Sequence, residues 1–482
     1  MVEIRPALRY FEFKSQTGTV YRPAMTQIST KPPSGMRDFL PEELARRRYV
    51  IDLVRKIYEQ YGFQPIETPS IENLSTLLGK YGEEGDQLLY RILHRRDALR
   101  RALEQDEIQE ADLADLGLRY DLTVPLARVI AQYGSLPRFF KRYQIQPVWR
   151  ADRPGRGRFR EFYQCDVDVT GTSSLIAEAD VLSAVARVLE ELGFSDFTIQ
   201  VNHRQLLTKM ISAAGIDPTL EESALVAVDK LEKVGRDGVL GELEQRGIES
   251  GQAESLLQFI CRDGEESNQA IAERLRSSLD SEKASAAIDQ LLELLETTES
   301  GPAGGHLRLS PGLARGLGYY TGPIFEITVT DLAGSLGGGG RYDDLVGMFG
   351  KQAVPAVGFS LGLERILLVM EEREMYPSLQ VGPQIVLCSM GVEPASVFKV
   401  AEALREQGLR VEIYPEPAKL GKQLQYADSE GIRSPCAAIL GEDELNNGTL
   451  TLKALASGVQ STVPIPEVSA SLEALLEAPA AD

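Results

Sequence analysis

Five arginines lie between positions 150 and 160 of a chain whose formal net charge is −20. They share a loop with two glycines and a proline, and the aromatic and branched residues on either side, between Phe140 and Asp168, predict two strands. Guanidinium groups bind phosphate through paired hydrogen bonds, and glycines let the backbone approach an anion closely. A solvated hairpin tip that keeps an acidic protein soluble has a similar composition. Because the rest of the chain is so acidic, the cluster favours an anion-binding strand–loop–strand unit.

Length and composition limit the classes of protein that the chain can represent. It has 482 residues, of which 43% are hydrophobic and 25% charged, so it is globular and long enough for two or three domains. A protein that coats nucleic acid nonspecifically is basic, so an RNA partner would be met by a local basic patch, and DNA is not an expected partner. No run of eighteen apolar residues occurs, and we expect no membrane span.

The cysteines and histidines are few and dispersed. No CxxC pair occurs, which argues against a zinc ribbon and against a disulfide framework. A Cys–His nucleophile pair could assemble in space, although no local pattern supports one. With no secretory signal at the start of the chain, a cytoplasmic location is expected. The residues concerned are Cys165, Cys261, Cys388, Cys436, His94, His203 and His306.

The elements that must position the arginines alternate between helices and strands. Residues 1–30 form a loosely patterned extension, and a helix is predicted from Pro41, after Asp38, to Gly62. The stretch 63–71 contains two prolines and predicts an edge strand. The remaining predictions up to residue 376 are a strand at 159–170, a helix at 174–192, a mainly helical module at 204–300, a linker at 301–305, strands within 307–363 and a helix at 363–373.

Beyond Pro383 short buried-strand runs alternate with helices. This alternation predicts a small α/β domain with a mainly parallel sheet. Asn446–Gly448 predicts a turn that leads into a last strand at 449–452. The other predicted elements here are strands at 385–389, 410–414 and 436–440 and helices at 395–407 and 420–429.

The arginine-rich segment resembles motif 2 of class II aminoacyl-tRNA synthetases, and its form Arg160-Glu-Phe-Tyr-Gln-Cys-Asp166 resembles the histidyl-tRNA synthetase family. Other segments are similar to that family as well, and together they cover about residues 31 to 460. These segments are 118–128 (amino-acid binding), 313–322 (histidine signature), 337–343 (glycine-rich wall), 358–365 (motif 3), 65–72 (motif 1, a dimer strand) and 416–423 (anticodon domain).

The resemblance implies an α+β fold, in which a class II antiparallel sheet flanked by helices carries a helical insertion and is followed by a C-terminal α/β anticodon-binding domain. It also implies a homodimer. The expected division is 1–30 extension, 31–203 catalytic core with motifs 1 and 2, 204–300 helical insertion, 301–376 catalytic core with the histidine signature and motif 3, and 381–482 anticodon-binding domain.

The resemblance also implies roles for residues at an ATP site. Arg150 and Arg315 would neutralise charge that develops when the histidine carboxylate attacks the α-phosphate of ATP. Arg158 would hold the outer phosphates, and Mg²⁺ would neutralise the diphosphate leaving group. The remaining ATP contacts are the adenine sandwich of Phe162 and Arg365 and the acidic position behind the motif 2 arginine, Asp152.

For histidine, the resemblance implies an ammonium side and an imidazole side. Asp168 with Tyr319 and Tyr320 would bind the imidazole. Taken alone, Asp121 or Asp168 could equally be a solvated carboxylate on a strand. The sequence departs from the family at Gly318, where Asp is common. The implied ammonium side comprises Asp121, Thr123 and Gln164, and the implied histidine-binding set also includes Leu122, Arg150 and Arg315.

The implied function is the ATP-dependent attachment of L-histidine to tRNA(His) through histidyl-adenylate, with release of AMP and diphosphate. The alternative is a catalytically silent, synthetase-like regulatory subunit of histidine biosynthesis, which lacks the arginine signature and the anticodon domain. Both Arg315 and a C-terminal α/β region are present here, which favours the enzyme. An RNA-sensing pseudo-synthetase module is a third possibility, expected inside a longer kinase-containing chain.

Overall fold

The computed structural model describes residues 29–78, 87–261, 264, 266–314, 318–332, 334–350 and 352–477. Most of the predicted N-terminal extension and the predicted site residue Arg315 lie outside these residues. The strands are β1 Gln64–Pro65, β2 Ile71–Asn73, β3 Arg91–Leu93, β4 Ala114–Leu118, β5 Phe140–Trp149, β6 Glu161–Thr170, β7 Thr198–His203, β8 Leu307–Leu309, β9 Pro323–Thr328, β10 Gly337–Arg341, β11 Ala356–Gly362, β12 Ile385–Ser389, β13 Val411–Ile413, β14 Cys436–Leu440, β15 Thr449–Ala454 and β16 Gln460–Pro464.

The α-helices of the described residues are numbered in chain order. They are α1 Pro41–Gln60, α2 Leu74–Leu77, α3 Arg96–Leu103, α4 Glu110–Leu113, α5 Thr123–Gln132, α6 Ile176–Glu191, α7 Arg204–Ala213, α8 Glu221–Val228, α9 Leu231–Gln245, α10 Ser250–Ile260, α11 Asn268–Ser278, α12 Glu282–Thr298, α13 Leu363–Glu372, α14 Pro394–Arg405, α15 Leu420–Ala427, α16 Glu442–Asn447 and α17 Val468–Glu477.

A large sheet with the strand order β1-β5-β6-β11-β10-β9-β7-β8 forms the centre of the first 376 residues. Its inner pairings are antiparallel, and only the outermost pairs, β1 with β5 and β7 with β8, are parallel. Helix α6 is buried on most sides because it packs between this sheet, α1 and α12. An antiparallel-dominated sheet flanked by helices confirms the predicted fold class.

The predicted edge strand at 63–71 is divided between two sheets. Only Gln64 and Pro65 join the edge of the large sheet, where they pair with Arg142 and Tyr143 of β5. Pro65 and Pro69 have no backbone N–H to donate, so a continuous ladder cannot form through this stretch. The chain enters a second, three-stranded sheet, β2-β4-β3, only at Ile71.

Helices α7 to α12 fill the chain between β7 and β8, as the leucine- and glutamate-rich composition predicts. Helix α9 is kinked at Gly235, whose φ of 70° lies in the region that favours glycine. The start of α9 reaches the cavity described below, because Lys233 is among the residues that line it.

The C-terminal region has its own sheet, with the order β13-β12-β14-β15-β16, and its own hydrophobic core. The prediction of a mainly parallel sheet is wrong, since β15 pairs antiparallel with both β14 and β16. The physical reason is the short connection between β14 and β15, residues 441–448, because a parallel pair needs a crossover of about a dozen residues or more. A short helix, α16, occupies this connection where the sequence predicts a bare turn. Gly448 ends this helix in the left-handed conformation and reverses the chain into β15.

Candidate functional site

A cavity of about 880 Å³ opens on one face of the large sheet. Strand β6 forms its floor, because side chains two residues apart on a strand project to the same face. From one end of the strand to the other, this row consists of Phe162, Gln164, Asp166 and Asp168, all of which line the cavity. The row changes from aromatic to amide to carboxylate, so the two ends of the cavity suit different chemical groups.

A buried arginine supports the carboxylate end of the floor. Arg142 of β5 lies opposite Asp168 in the strand register and is fully buried. Its Nη2 is 2.8 Å from Asp168 Oδ2 and 3.7 Å from Asp166 Oδ2. The hydroxyl of Tyr342 donates to Asp168 Oδ1. Two carboxylates therefore share one guanidinium, and a hydroxyl fixes only one of them.

Burial dominates the protonation of these two acids. It raises the pKa of Asp166 to about 7, and Arg142 opposes the shift while the neighbouring Asp168 adds to it. The pKa of Asp168 is raised by burial as well, against the effects of Arg142 and of the Tyr342 hydroxyl. The floor thus favours a ligand that brings a positive charge or donates hydrogen bonds to the carboxylates.

Three acceptor atoms on the floor have no hydrogen-bond partner among the described residues. One of them, Asp168 Oδ2, lies 2.8 Å from Arg142 Nη2 in an ion pair, and the other two are Gln164 Oε1 and Asp166 Oδ1. The amide nitrogen of Gln164 is engaged, since it donates to Ser360 Oγ over 2.7 Å. This bond turns the amide oxygen away from Ser360. Buried acceptors are almost always satisfied in folded proteins, so the two oxygens indicate where a ligand donates.

Glycines of β10 and β11 form one wall of the cavity, and because they have no side chains the cavity extends to β6. Strand β10 pairs along its length with β11, and Gly358 of β11 lies opposite Asp168. A Cβ atom on Gly358 would lie 1.9 Å from Asp168 Oδ1, and one on Gly339 would lie 2.0 Å from the Gly358 carbonyl oxygen. The glycine run therefore packs closely against backbone and carboxylate rather than forming a hinge.

Three tyrosines cluster at the carboxylate end. The rings of Tyr319 and Tyr320 meet edge to face with centroids 4.8 Å apart, and the centroids of Tyr319 and Tyr342 are 5.9 Å apart. All three line the cavity. Aromatic edges and faces beside a buried carboxylate form a suitable environment for a flat ring that carries N–H groups.

The segment before α5 lies behind the cavity wall. Asp121 is buried, and its Oδ1 accepts the backbone N–H of Val124 over 3.2 Å, which caps the start of α5. Leu122 is also buried, and its carbonyl oxygen accepts from Arg142 Nη2 over 3.3 Å. Thr123 lines the cavity itself. The segment thus holds the arginine of the floor and presents the threonine hydroxyl.

The opposite end of the cavity is basic. Arg150 Nε donates to the Tyr120 carbonyl oxygen over 3.0 Å, and its guanidinium carbon is 5.2 Å from the centre of the Phe162 ring. Arg158 Nη1 is 3.7 Å from Asp152 Oδ2. Arg365 donates to the backbone oxygen of Ser335 and lines the same cavity as Phe162.

A buried ion pair ties this basic end to the helices behind it. Glu364, the first-turn acid of α13, accepts from Arg47 Nη1 over 2.9 Å and from the backbone N–H of Tyr163 over 3.1 Å. The loop tip is held from outside, since Arg156 donates to both carboxylate oxygens of Glu372, with its Nη2 2.6 Å from Oε2. Strand β6, α1 and α13 are thereby fixed together around Arg365.

The structure brings most of the sequence-predicted site residues into one cavity. Asp121 and Leu122 lie behind its wall, and Arg315 lies outside the described residues. The predicted residues that line the cavity are Thr123, Arg150, Asp152, Arg158, Phe162, Gln164, Asp168, Tyr319, Tyr320 and Arg365.

Sequence reasoning missed several residues of the site. The two-residue period of β6 was sufficient to place Asp166 beside Gln164 and Asp168. Arg142 required the register between β5 and β6, and Lys233 required the path of the helical region, which no local pattern indicates. Tyr342 lies in the predicted wall segment 337–343, although no role was predicted for it alone. The residues missed are Arg142, Asp166, Lys233, Glu326 and Ser360.

Two further observations concern metals and membranes. Within the described ranges, no three acidic, histidine or cysteine side chains come together as a metal-binding cluster. The helices of the same ranges include none whose length and apolar character would allow it to cross a membrane.

Comparison with known proteins agrees with the fold and the site. A family model described as histidyl-tRNA synthetase matches residues 35–366, and one described as anticodon binding domain matches residues 384–475. Histidine--tRNA ligase of Cytophaga hutchinsonii is 42% identical over 448 residues, which cover 90% of this chain and 98% of that protein. The same-named protein of Porphyromonas gingivalis is 43% identical over 443 residues, which cover 90% and 96% of the two chains.

A solved structure gives the same result. The crystal structure of histidyl-tRNA synthetase from Nostoc sp. PCC 7120 superposes with a TM-score of 0.74 at 32% identity, covering 93% of this chain and all of that one. The antiparallel sheet, the arginine-rich strand–loop–strand unit and these matches define the catalytic domain of a class II aminoacyl-tRNA synthetase. The chain belongs to the histidyl-tRNA synthetase family. The predicted family is confirmed, and the regulatory-subunit alternative is not favoured.

Proposed function

We propose that this protein attaches L-histidine to tRNA(His) in two steps, with histidyl-adenylate as the intermediate. The observation that carries the proposal is the single row of side chains on β6, which joins a basic, aromatic end to an acidic, tyrosine-lined end. A nucleoside triphosphate suits the first end and histidine suits the second. Family membership and relatives named histidine--tRNA ligase support the same reaction.

In the first step, a carboxylate oxygen of histidine bonds to the α-phosphorus of ATP while the bond from that phosphorus to the bridging oxygen breaks and diphosphate leaves. Negative charge accumulates on the phosphorus centre, where Arg150 is assigned to neutralise it together with Arg315. Arg150 is already oriented by the Tyr120 carbonyl oxygen. A donor held in place before the reaction stabilises the transition state without reorganising.

The purine is assigned to the space between Phe162 and Arg365, with an aromatic face on one side and a planar cation on the other. Arg158 is assigned to the outer phosphates, with Asp152 keeping its guanidinium in place at 3.7 Å. Mg²⁺ binds ATP through phosphate oxygens and few protein carboxylates. We therefore treat Mg²⁺ as part of the nucleotide substrate, where it neutralises the diphosphate.

For histidine, Asp168 is the assigned acceptor of an imidazole N–H, with Tyr319 and Tyr320 around the ring. Arg142 and the Tyr342 hydroxyl hold that carboxylate in one orientation. Gln164 and Thr123 are assigned to the ammonium side. A site built to bind a ring N–H rejects apolar side chains strongly, because its buried acceptor is left unpaired.

In the second step, a ribose hydroxyl at the 3′ end of tRNA attacks the activated carbonyl and AMP leaves. We propose the division 31–203 and 301–376 for catalysis, 204–300 for an insertion and 381–482 for anticodon binding, with 1–30 as an extension. The match of residues 384–475 to an anticodon-binding model supports the last of these. Basic side chains at Lys419 and Lys422, at the start of α15, supply the charge for RNA.

We also propose a homodimer in the cytoplasm. Strand β1 lies at the open edge of the large sheet, with both of its residues exposed, and so offers a surface to a second copy. The four cysteines are free thiols, which fits a reducing compartment.

The activity is tested by exchange of labelled diphosphate into ATP with each amino acid in turn. Exchange that requires histidine supports the proposal, and exchange with another amino acid, or none, contradicts it. Deletion of residues 381–482 tests the division, because the C-terminal core is separate from the core of the large sheet. We expect histidine-dependent exchange to persist and tRNA charging to be nearly lost. Loss of both activities together, with a dimer that dissociates in light scattering, would contradict the RNA role of this region.

A further inference from the structure

Asp166 is the residue of the floor for which the reaction described above gives no role. It lies in the middle of β6 and is 1% exposed. Its Oδ1 has no hydrogen-bond partner among the described residues, and its Oδ2 is 3.7 Å from Arg142, beyond hydrogen-bond distance. A buried carboxylate with one empty oxygen is costly unless a ligand satisfies it.

The groups that face Asp166 come from each element packed against it. Arg142 on β5 is the nearest cation, Asp168 adds negative charge from β6, and the Ser360 hydroxyl of β11 donates a hydrogen bond to the Asp166 carboxylate. Asp121, before α5, adds a more distant negative charge. Arg142 lies closer to Asp168, at 2.8 Å, so it is mainly engaged there. The protein alone therefore neutralises the negative charge of Asp166 only in part. A ligand with a positively charged N–H donor would neutralise it further.

We propose that Asp166 is a positioning residue that accepts an N–H of the α-ammonium group of histidine. The inference rests on the proposed function, because it places a part of that substrate. It adds an acidic partner to a subsite for which the sequence indicates Asp121, Thr123 and Gln164. In the structure one oxygen of Asp121 accepts the backbone N–H of Val124, and Asp121 is not among the residues that line the cavity, whereas Asp166 is.

Position along the strand favours the ammonium over the imidazole. Asp168, one step further along the same face, already accepts a hydrogen bond from Tyr342, forms an ion pair with Arg142 and stands among the tyrosines. Gln164, one step in the other direction, presents the second empty acceptor, Oε1. An ammonium carries three donors. It can therefore bridge Gln164 Oε1 and Asp166 Oδ1 and still reach the hydroxyl of Thr123.

Two analogues of histidine separate the ammonium from the ring. Histamine keeps the ammonium and the imidazole but lacks the carboxylate, and 3-(imidazol-4-yl)propionate keeps the imidazole and the carboxylate but lacks the ammonium. The inhibition constant of each analogue is measured in histidine-dependent diphosphate exchange. The proteins compared are the parent and the variants Asp166→Asn and Asp166→Glu. The asparagine side chain has nearly the same shape without the charge, and glutamate keeps the charge on a longer stem.

For Asp166→Asn we expect the KM for histidine and the inhibition constant of histamine to rise about 10- to 100-fold, the range for a lost hydrogen bond to a charged group. The KM for ATP and the inhibition constant of the propionate should stay near the parent values. In Asp166→Glu the preference for histamine over the propionate should be partly recovered. Equal weakening of histamine and the propionate, or an unchanged KM for histidine, would overturn the proposal.

The parent protein supplies a measurement that depends on no variant. As pH falls from 8 to 6, Asp166 takes up a proton and should bind histamine less tightly. Protonation of Asp166 should not weaken the binding of the propionate, which has no ammonium group. The imidazole titrates in both analogues, so the ratio of their inhibition constants isolates the ammonium. A ratio that is constant with pH would overturn the proposal even if both variants failed to fold. Absence of exchange in the parent would instead refute the proposed function itself.

Discussion

Replacement of Gly358 by alanine should displace the carboxylate of Asp168 and impair histidine binding selectively. The added Cβ would lie 1.9 Å from Asp168 Oδ1 and 2.5 Å from its Cγ. Ordinary contact between non-bonded atoms begins near about 3.5 Å, so the carboxylate must retreat by roughly 1.5 Å. It would then lose the 2.8 Å contact with Arg142 or the hydrogen bond from Tyr342.

The magnitude follows from these distances. Overpacking of this kind lowers the free energy of unfolding by about 1–3 kcal/mol, which a domain of this size tolerates. Displacement of a binding group by 1 Å can lower a rate constant by about 10²-fold. We therefore expect kcat/KM for histidine to fall by about that factor, while the KM for ATP changes little, because Phe162 and Arg158 lie at the other end of the row.

The assay is diphosphate exchange at varied histidine and varied ATP, with urea denaturation to confirm that the variant is folded. Gly134→Ala is the matched control, because a Cβ there meets no atom within 4 Å and the residue is not among those that line the cavity. A Gly358→Ala protein with the parent KM for histidine would show that the floor at Asp168 does not contact the amino acid. Equal rises in the KM of both substrates would show a general collapse of the cavity.

Two further predictions concern the acids of the floor. Asp168→Asn should raise the KM for histidine far more than the KM for ATP in the same exchange assay, and equal shifts would remove Asp168 from the imidazole site. Burial raises the pKa of Asp166 from 3.8 to about 7, so the folded protein holds a proton that the unfolded chain has released, and stability falls as pH rises through this interval. Urea denaturation should therefore show Asp166→Asn gaining stability relative to the parent between pH 5 and pH 8, whereas a difference that does not vary with pH would contradict the assignment.

The sequence predicted the elements whose own pattern determines them. The alternation in 159–170 gave the strand that carries the site, and the ends of β12 and β14 were predicted to the residue. The arginine loop was recognised because its charge contrasts with that of the chain. In each case the information lies within about a dozen consecutive residues.

Features that depend on contacts between residues far apart in the sequence could not be predicted in this way. The ion pair of Arg47 with Glu364 joins two helices far apart in the chain, and the pairing of Arg142 with Asp168 depends on strand register. The mixed C-terminal sheet was missed because the alternation of strands and helices was extended to β15, although the connection 441–448 is too short for the crossover that a parallel pair needs. The role of Asp166 was missed because the family signature directs attention to Gln164 and Asp168 on either side.

The most direct test of the central claim is charging of a tRNA(His) transcript with labelled histidine by the purified full-length protein. We expect histidyl-tRNA to form only in the presence of ATP and Mg²⁺, with diphosphate released in equal amount. We also expect that tRNA of another amino acid is not charged. Binding of histidine without any charged tRNA, under conditions where a known histidyl-tRNA synthetase charges the same transcript, would contradict the account.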